Sequence, residues 1–191
     1  MPPRASHFFI IVSVLVSPFV ALLFIWIWTL SQLNPIEYGF IKNGLWPVAC
    51  TTRGCITASA WARQYDLARA FEEISGETTI SPEEALTSAI RQHLVRYGVV
   101  KSPVTTRDAT RYRENILHIT DSSLLQNTLG VSLQEYDTEV ILPFLQQEAL
   151  GELRHTESRD ELYAYLSKER AVWLLNWRYR WNKETGVAEV R

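Results

Sequence analysis

The stretch RQHLVRYGVVKSPVTTRDATRYR, Arg91–Arg113, decides how the body of this chain is expected to fold. An apolar-spaced segment ends at Gly98, and a Val-Val-Lys-Ser-Pro joint separates it from a second helical start at Thr105. Asp108 follows three residues later, which is the spacing of a helix N-cap with an acid that returns a hydrogen bond. The stretch therefore predicts a helical hairpin, two helices joined by a short turn-coded linker.

Helix signals continue on both sides of this stretch. Residues 58–76 place apolar side chains near helical spacing and stop at Gly76. Residues 131–154 carry a long apolar stripe that Pro143 is expected to kink. The body is therefore predicted to be mainly α, of the α+β class. Serine with glutamate three residues later, which satisfies free amides at a helix start, occurs at Ser81/Glu84, Ser132/Glu135 and Ser158/Glu161.

Short β-prone pieces occur near the two ends of this helical body. Residues 48–57, VACTTRGCIT, read as two pieces around a Thr-Thr-Arg-Gly turn. Residues 172–181, VWLLNWRYRW, alternate with period two and predict a strand with one aromatic face, after which NKETG and VAEV form a turn and a returning partner. An isolated strand leaves its backbone groups unpaired. We therefore expect residues 48–57 to lie beside residues 172–181 in a small sheet.

The N-terminal segment, residues 1–33, contains an uncharged run from Phe8 to Leu30. Its length suits a helix that crosses a hydrocarbon core of about 30 Å, with tryptophans near its distal end. It predicts an uncleaved transmembrane anchor, whereas a signal peptide has a shorter apolar stretch followed by a small-residue cleavage site. A buried core helix is the other interpretation. Arg4 precedes the run and favours a cytoplasmic N-terminus, with an extracytoplasmic body on the cell membrane.

Charge and composition limit the classes of partner. The 19 basic and 21 acidic residues give a formal charge of -2, and no run of Lys or Arg occurs. Nucleic-acid binding is therefore not predicted, because it requires a basic patch.

Residues 34–47 contain prolines and glycines typical of a linker, and residues 48–191 form one predicted domain that ends in a β-hairpin.

Two cysteines, Cys50 and Cys55, flank the predicted turn. Their spacing suits a hairpin disulfide. A metal site is the alternative, but zinc takes four ligands and no histidine lies nearby in the sequence. We expect the disulfide if the body lies outside the cytoplasm.

Residues that would carry catalysis are scattered along the chain. His93 lies within a predicted helix and is interpreted as a packed or surface side chain. A serine peptidase would need a serine with a spaced base and an oxyanion loop, and the adjacent Lys101 and Ser102 have neither. We predict no catalytic residue, no cofactor and no metal. A hydrolase with a polar pocket of converging groups stays as the enzyme hypothesis.

The order of elements resembles the SurA N-terminal-like chaperone domain of SurA, PpiD and PrsA-type foldases. The matching segments are CITASAWARQYDLARAF, EEALTSAIRQHLVRYGVV, VTTRDATRYREN and LGVSLQEYDTEVILPFLQQEAL. The likeness covers roughly residues 48–153. Foldases usually place a parvulin-type prolyl isomerase domain after this module, whereas few residues follow Leu153 here. The resemblance implies a membrane-anchored SurA-N-like domain that holds unfolded or exported polypeptides without isomerising prolines.

Client binding requires exposed apolar and aromatic area. A half-buried strand also needs an apolar face toward its core, so each aromatic residue has a structural interpretation as well. A structural or interaction subunit that docks onto one partner in an envelope complex is the alternative function. The predicted client-binding residues are Trp61, Tyr97, Tyr112, Trp173, Trp177, Tyr179 and Trp181.

Overall fold

The computed structural model describes residues 4–33, 36–37, 43–75, 80–98 and 104–191. The side chains of residues 4–16, 73–75 and 97–98 lie outside the described part. The predicted stop at Gly76 and the joint at residues 99–103 also fall outside it.

The described chain is mainly helical with short strands, which confirms the predicted class. Helices occupy most of the body, and strands lie near residue 50 and near the C-terminus. The elements are α1 (Arg4–Gln32), β1 (Pro47–Thr51), β2 (Gly54–Thr57), α2 (Ala58–Ser75), α3 (Pro82–Gly98), α4 (Thr106–Asn115), α5 (Ser122–Leu129), α6 (Leu133–Tyr136), a π segment (Asp137–Ile141), α7 (Leu142–Arg154), α8 (Arg159–Glu169), β3 (Val172–Leu174), β4 (Tyr179–Asn182) and β5 (Val187–Val190).

Local capping explains where several helices begin. Glu84 accepts from the backbone amide of Ser81, and Ser81 accepts from that of Glu84, so the predicted capping box is present. The same reciprocal arrangement holds Ser132 and Glu135. The residues before Pro143, where a kink is predicted, form the π segment, because proline lacks an amide donor and its ring crowds the preceding turn.

Two hydrophobic cores share helices α2 and α7. The first core lies between the strands, α3 and α8, and includes Leu86, Ile90 and Leu94 of α3. The second core lies between α4, α5 and the π segment, and includes Ala109 of α4.

The prediction of a helical hairpin around residues 98–105 is therefore wrong in one respect, the packing of its two helices. Both helices form, but α3 packs on α2 and α7, whereas α4 packs on the π segment and α7. Their apolar residues serve different cores. Ile116 and Leu117 lie beyond the end of α4 with 61% and 39% exposure.

The predicted pairing of the two β regions is confirmed for its first three residues. Strand β1 lies between β2 and β3, antiparallel to both, and Cys50 is opposite Cys55 on one side and Trp173 on the other. The ladder is extended by Leu175, whose amide donates to the carbonyl of Val48 across 3.0 Å. This sheet joins the two ends of the body.

A single strand over residues 172–181 is not formed. The chain turns at Asn176, a buried residue whose side chain accepts from the amide of Arg178 across 3.0 Å. Asparagine favours such turns because its side chain bonds the backbone two residues on. Strand β4 then pairs with β5 in a separate two-stranded hairpin, as the NKETG turn predicts.

Helix α1 ends against the body. Its 29 residues include the predicted anchor, and it contacts β1. Phe19, Phe24 and Trp26 are 76%, 68% and 65% exposed. Among the residues described, no helix combines the length and apolar character of a membrane span.

Candidate functional site

A groove runs between helices α2 and α3 on one side and α7 on the other. It has a larger chamber of about 570 Å³ and a smaller one of about 330 Å³. The two chambers abut, since Gln64, Gln92, Glu139 and Pro143 line both. Gln64 and Gln92 exchange two amide hydrogen bonds of 2.9 and 3.0 Å, which tie α2 to α3 where the chambers meet.

The larger chamber has an apolar wall interrupted by amides and charges. Phe71 at the end of α2 is 39% exposed, so part of this wall faces solvent. The charged lining includes Glu84 and Glu139 as well as two arginines. Apolar side chains that line this chamber are Leu67, Ala68, Phe71, Val95, Val140, Pro143, Phe144 and Val187.

Two arginines of the larger chamber stack on aromatic rings. The guanidinium of Arg91 lies 4.3 Å from the ring centre of Tyr163, and that of Arg159 lies 5.4 Å from the ring centre of Phe144. Arg91 is also fixed by a 2.9 Å hydrogen bond to the carbonyl of Gly186. These cation–π contacts place positive charge beside apolar surface. A chain segment that carries acidic and apolar side chains fits such a surface.

Tyr163 and Gln147 form a polar contact at this end of the groove. The Tyr163 hydroxyl donates to the side-chain oxygen of Gln147, and burial raises the pKa of the phenol. The Nε2 group of Gln147 has no hydrogen-bond partner among the described residues. A buried donor without a partner is disfavoured by about 1–3 kcal/mol, and an incoming acceptor would offset that.

The smaller chamber lies beside the β1–β2 hairpin. Cys55 lines it and is disulfide-bonded to Cys50. His93 also lines it, with its Nε2 atom 3.1 Å from the hydroxyl oxygen of Thr51. Burial is the main factor that lowers the pKa of His93, and the positive charge of Arg96 lowers it further. The imidazole is therefore neutral at pH 7.

A charged cluster closes the other side of the smaller chamber. Arg63 donates to Glu139 and, across 3.1 Å, to Glu135. The hydrogen bond to Glu139 is the main factor that raises the pKa of Arg63. The cluster connects α2 to the π segment, which fixes the width of the groove at this point.

The lining of the groove combines apolar side chains with side-chain amides and charged groups. The Thr51 hydroxyl, 3.1 Å from the Nε2 atom of His93, is buried and also donates to the carbonyl of Gly54 across 3.2 Å. Within the described ranges, no group of three His, Cys, Asp or Glu side chains is arranged to hold a metal ion. The absence of catalysis and of cofactors stays a prediction. Apolar walls, side-chain amides and fixed arginines suit an extended polypeptide.

The predicted client-binding aromatics divide between core and surface. Trp61 and Tyr179 are only 0% and 4% exposed, so their assignment to a binding surface is wrong. Their rings meet edge to face at 5.7 Å, because β4 turns Tyr179 inward onto α2. The indole of Trp61 donates to the carbonyl of Pro82 across 2.8 Å, which satisfies its polar atom inside the core.

Of the other five predicted aromatics, the four whose side chains are described lie in three different surroundings. Tyr112 is half-buried and its ring lies 5.9 Å from that of Phe144, while Trp181 is half-buried against the first core. Trp173 and Trp177 are 52% and 59% exposed. The side chain of Tyr97 lies outside the described residues.

Sequence reasoning missed both the groove and a buried ion pair. Arg113 and Asp137 bond inside the second core, and a signal existed, because Arg113 lies one helical turn after the buried Ala109. The groove gave no such signal. Gln64 and Gln92 are 28 positions apart in the sequence, and they meet only because α2 and α3 pack side by side.

Comparisons with known proteins identify no relative. No family model matches the chain, and no curated protein or solved structure matches it. The resemblance to SurA N-terminal-like domains therefore rests on motifs and element order, and it contributes only to a proposal.

Proposed function

We propose that this chain is a membrane-anchored, extracytoplasmic chaperone-like protein that holds unfolded or exported polypeptides in the groove. The observation that carries the proposal is the joining of two chambers into one groove along α2, α3 and α7. An extended chain advances about 3.3 Å per residue and alternates its side chains, so it needs a long site. The SurA N-terminal-like motifs support the same function.

The lining of the groove suits weak binding of many sequences. Burying one apolar side chain contributes roughly 1.5–3 kcal/mol, so two or three contacts give modest affinity. Phe71 and Phe144 offer such contacts, and the side-chain amides of Gln64, Gln92 and Gln147 offer polar ones. A holding chaperone needs this combination, because its clients differ in sequence and must be released.

Membrane attachment is the second part of the proposal. The uncharged run from Phe8 to Leu30 has the length of a bilayer span, and Arg4 precedes it. The exposed apolar side chains of α1, such as Phe19 and Phe24, support contact with lipid rather than water.

Protease added outside intact cells, after any outer barrier is permeabilised, should remove the body. Protection until the cytoplasmic membrane is lysed would contradict the orientation.

Client binding is tested with the full chain in detergent micelles. Light scattering of a chemically unfolded client should rise more slowly when the chain is in several-fold excess. Phe71→Asp places a charge on the groove wall and should remove most of this delay. Leu153→Asp is the matched control, because Leu153 is 60% exposed and lines neither chamber.

Two outcomes would count against the chaperone proposal. One is aggregation that proceeds at the same rate with and without the chain, and the other is equal loss with both Asp variants. A proline-containing peptide should isomerise at its uncatalysed rate in the same preparation. Catalysed isomerisation would contradict the prediction that the chain holds polypeptides without isomerising prolines.

Docking of one specific envelope partner is the second candidate function. It is favoured by exposed apolar side chains at the end of α4 and on α5, where Ile116 and Leu124 are 61% and 53% exposed. Crosslinking in native membranes, followed by affinity recovery, distinguishes the two functions. One stoichiometric partner, lost with Ile116→Asp and retained with Phe71→Asp, would favour docking.

A further inference from the structure

The end of α1 is hydrogen-bonded to the loop between β3 and β4. The side-chain amide of Gln32 donates to the carbonyl of Leu175 across 2.9 Å and accepts from the amide of Trp177 across 2.8 Å. Arg178 adds an ion pair to Glu37 at 3.2 Å. Helix α1 also contacts β1. It is therefore attached both to the loop that follows β3 and to the central strand of the three-stranded sheet.

Large apolar side chains are exposed around this attachment. Trp177, whose amide bonds Gln32, is 59% exposed, and Trp28, one helical turn before Gln32, is 58% exposed. Leu45, two residues before β1, is 81% exposed. Exposed apolar surface of this kind marks a contact with a partner or a membrane. The ion pair of Arg178 with Glu37 joins two opposite charges next to Trp177.

We propose that Trp177 and Leu45 insert into the headgroup layer of the membrane that α1 enters, so that the body rests on the bilayer in one fixed orientation. This inference rests on the proposed membrane attachment. It assigns a lipid surface as the partner of Trp177, in the loop between β3 and β4, and of Leu45, two residues before β1.

The distances favour lipid as the occupant. Four residues of helix advance about 6 Å, so Gln32 lies roughly that far along the helix axis from Trp28. The headgroup layer on each side of a bilayer is about 5–8 Å thick. If Trp28 lies at the inner boundary of that layer, then Gln32, with Trp177 bonded to it, lies within the layer. Indole rings favour this layer because they pair an apolar body with a polar N–H.

The orientation has a consequence for the groove. The sheet that contacts α1 also carries β2, and β2 residues Cys55 and Thr57 line the smaller chamber. A body held at its sheet therefore keeps the groove at a constant height above the membrane. A client that emerges at the membrane surface would meet the β2 end first.

Spin labels on the full chain test this inference in nanodiscs of phosphatidylcholine and phosphatidylglycerol. Labels at Phe24→Cys, Leu45→Cys and Leu153→Cys report the anchor, the proposed contact and an exposed control, with the native disulfide left intact. Collision with oxygen relative to a water-soluble nickel complex measures depth. We expect the ratio at residue 45 to exceed that at residue 153 several-fold and to lie below that at residue 24.

Two second-site variants test the residues that make the contact. Trp177→Asp or Gln32→Leu should bring the ratio at residue 45 down to that at residue 153, while the ratio at residue 24 stays high. Thr29→Ala, which removes only a hydrogen bond within α1, is the control and should change neither ratio.

The outcomes separate this inference from the anchor proposal. If residue 24 is in lipid but residue 45 is as nickel-accessible as residue 153, the anchor stands and the inference is wrong. If residue 24 is itself accessible to nickel, both are wrong. A ratio at residue 45 that is high but unchanged by Trp177→Asp and by Gln32→Leu would contradict the assigned contact residues.

Discussion

Arg113 and Asp137 form a buried ion pair that joins α4 to the π segment. The Nε group of Arg113 donates to the Asp137 carboxylate across 2.7 Å, and the two side chains are only 5% and 4% exposed. The other carboxylate oxygen accepts from the Thr110 hydroxyl across 2.7 Å. Arg113 also donates to the carbonyl of Ile119, which draws the chain after α4 back onto the helix. Each charge therefore has partners inside the second core.

Removing one charge of this pair should destabilise the body strongly. Asp137→Ala leaves the buried guanidinium of Arg113 with only the half-exposed carboxylate of Glu114, 3.3 Å away. Loss of a buried ion-pair partner typically costs about 3–5 kcal/mol. Urea unfolding of the full chain in micelles, followed by circular dichroism, measures the change in the free energy of unfolding.

An exposed ion pair provides the matched control. Arg159 and Glu148 lie 3.3 Å apart with side chains 61% and 51% exposed, so Glu148→Ala should cost about 0–1 kcal/mol. The double variant Arg113→Met with Asp137→Leu should recover much of the loss, because no buried charge is left unpaired and the carboxylate of Glu114, 49% exposed, faces solvent. Equal effects of Asp137→Ala and Glu148→Ala would contradict the buried pair.

The positions of Tyr179 and Trp173 give a second prediction. Tyr179→Ala removes a buried ring that meets Trp61, and it should lower the free energy of unfolding by about 3–5 kcal/mol. Trp173→Ala removes a half-exposed ring and should cost clearly less. A larger loss from Trp173→Ala would mean that the aromatic face points the other way.

The disulfide gives a third prediction. Peptides containing Cys50 and Cys55, isolated without reductant, should be joined and lighter by two hydrogens in mass spectrometry. Cys50→Ser with Cys55→Ser should cost about 2 kcal/mol, because the bond closes a loop of only five residues. Two thiols that alkylate freely in freshly isolated protein would contradict both the bond and the extracytoplasmic orientation of the body.

The titration of His93 gives a fourth prediction. In the unfolded chain a histidine binds a proton near pH 6.5, whereas burial holds the pKa of native His93 lower. Below pH 6.5 the unfolded state therefore binds more protons, so the free energy of unfolding falls as the pH drops toward the lowered pKa. Well above pH 6.5 His93 is neutral in both states, so it no longer changes the free energy of unfolding with pH.

Variants assign this pH dependence. His93→Gln should flatten the dependence of the free energy of unfolding between pH 6.5 and the lowered pKa. His118→Asn, at an exposed histidine, is the control. If both variants retain it, the titrating group lies elsewhere.

Local rules predicted the elements of the fold better than their packing. Capping at Ser81 and Ser132 and the NKETG turn follow from neighbouring residues, and the strand pairing follows from the need to satisfy backbone groups. The hairpin expected at residues 98–105 was not formed as a packed pair. Which core a helix serves depends on distant partners, and the apolar pattern of α3 or α4 does not specify them.

The candidate site was less predictable than the fold. Period two in residues 172–181 suggested one aromatic face, but the buried turn at Asn176 reverses the chain before Tyr179. The asparagine was the local signal against a continuous strand. The groove depends on the spacing of α2, α3 and α7, which residues far apart in sequence determine together.

Gly186 and Gly130 give the last prediction, since they share a backbone conformation but differ in surroundings. Their φ angles are +64° and +67°, a region that costs a residue with a Cβ roughly 1–2 kcal/mol. An added Cβ at Gly130 would meet nothing within 4 Å. At Gly186 it would lie 3.1 Å from both the Ser167 hydroxyl and the Tyr163 carbonyl oxygen, so one of them must move.

Gly186→Ala should therefore destabilise the body more than Gly130→Ala in parallel urea unfolding, and the difference between the two isolates the crowding. A second readout follows because the carbonyl of Gly186 holds Arg91, which lies over Tyr163 at the end of the groove. Displacing the β4–β5 turn releases that arginine and should weaken the delay of client aggregation, while Gly130→Ala leaves it unchanged. Equal stability loss would contradict the close packing of the turn, and an unchanged delay would separate Arg91 from client binding.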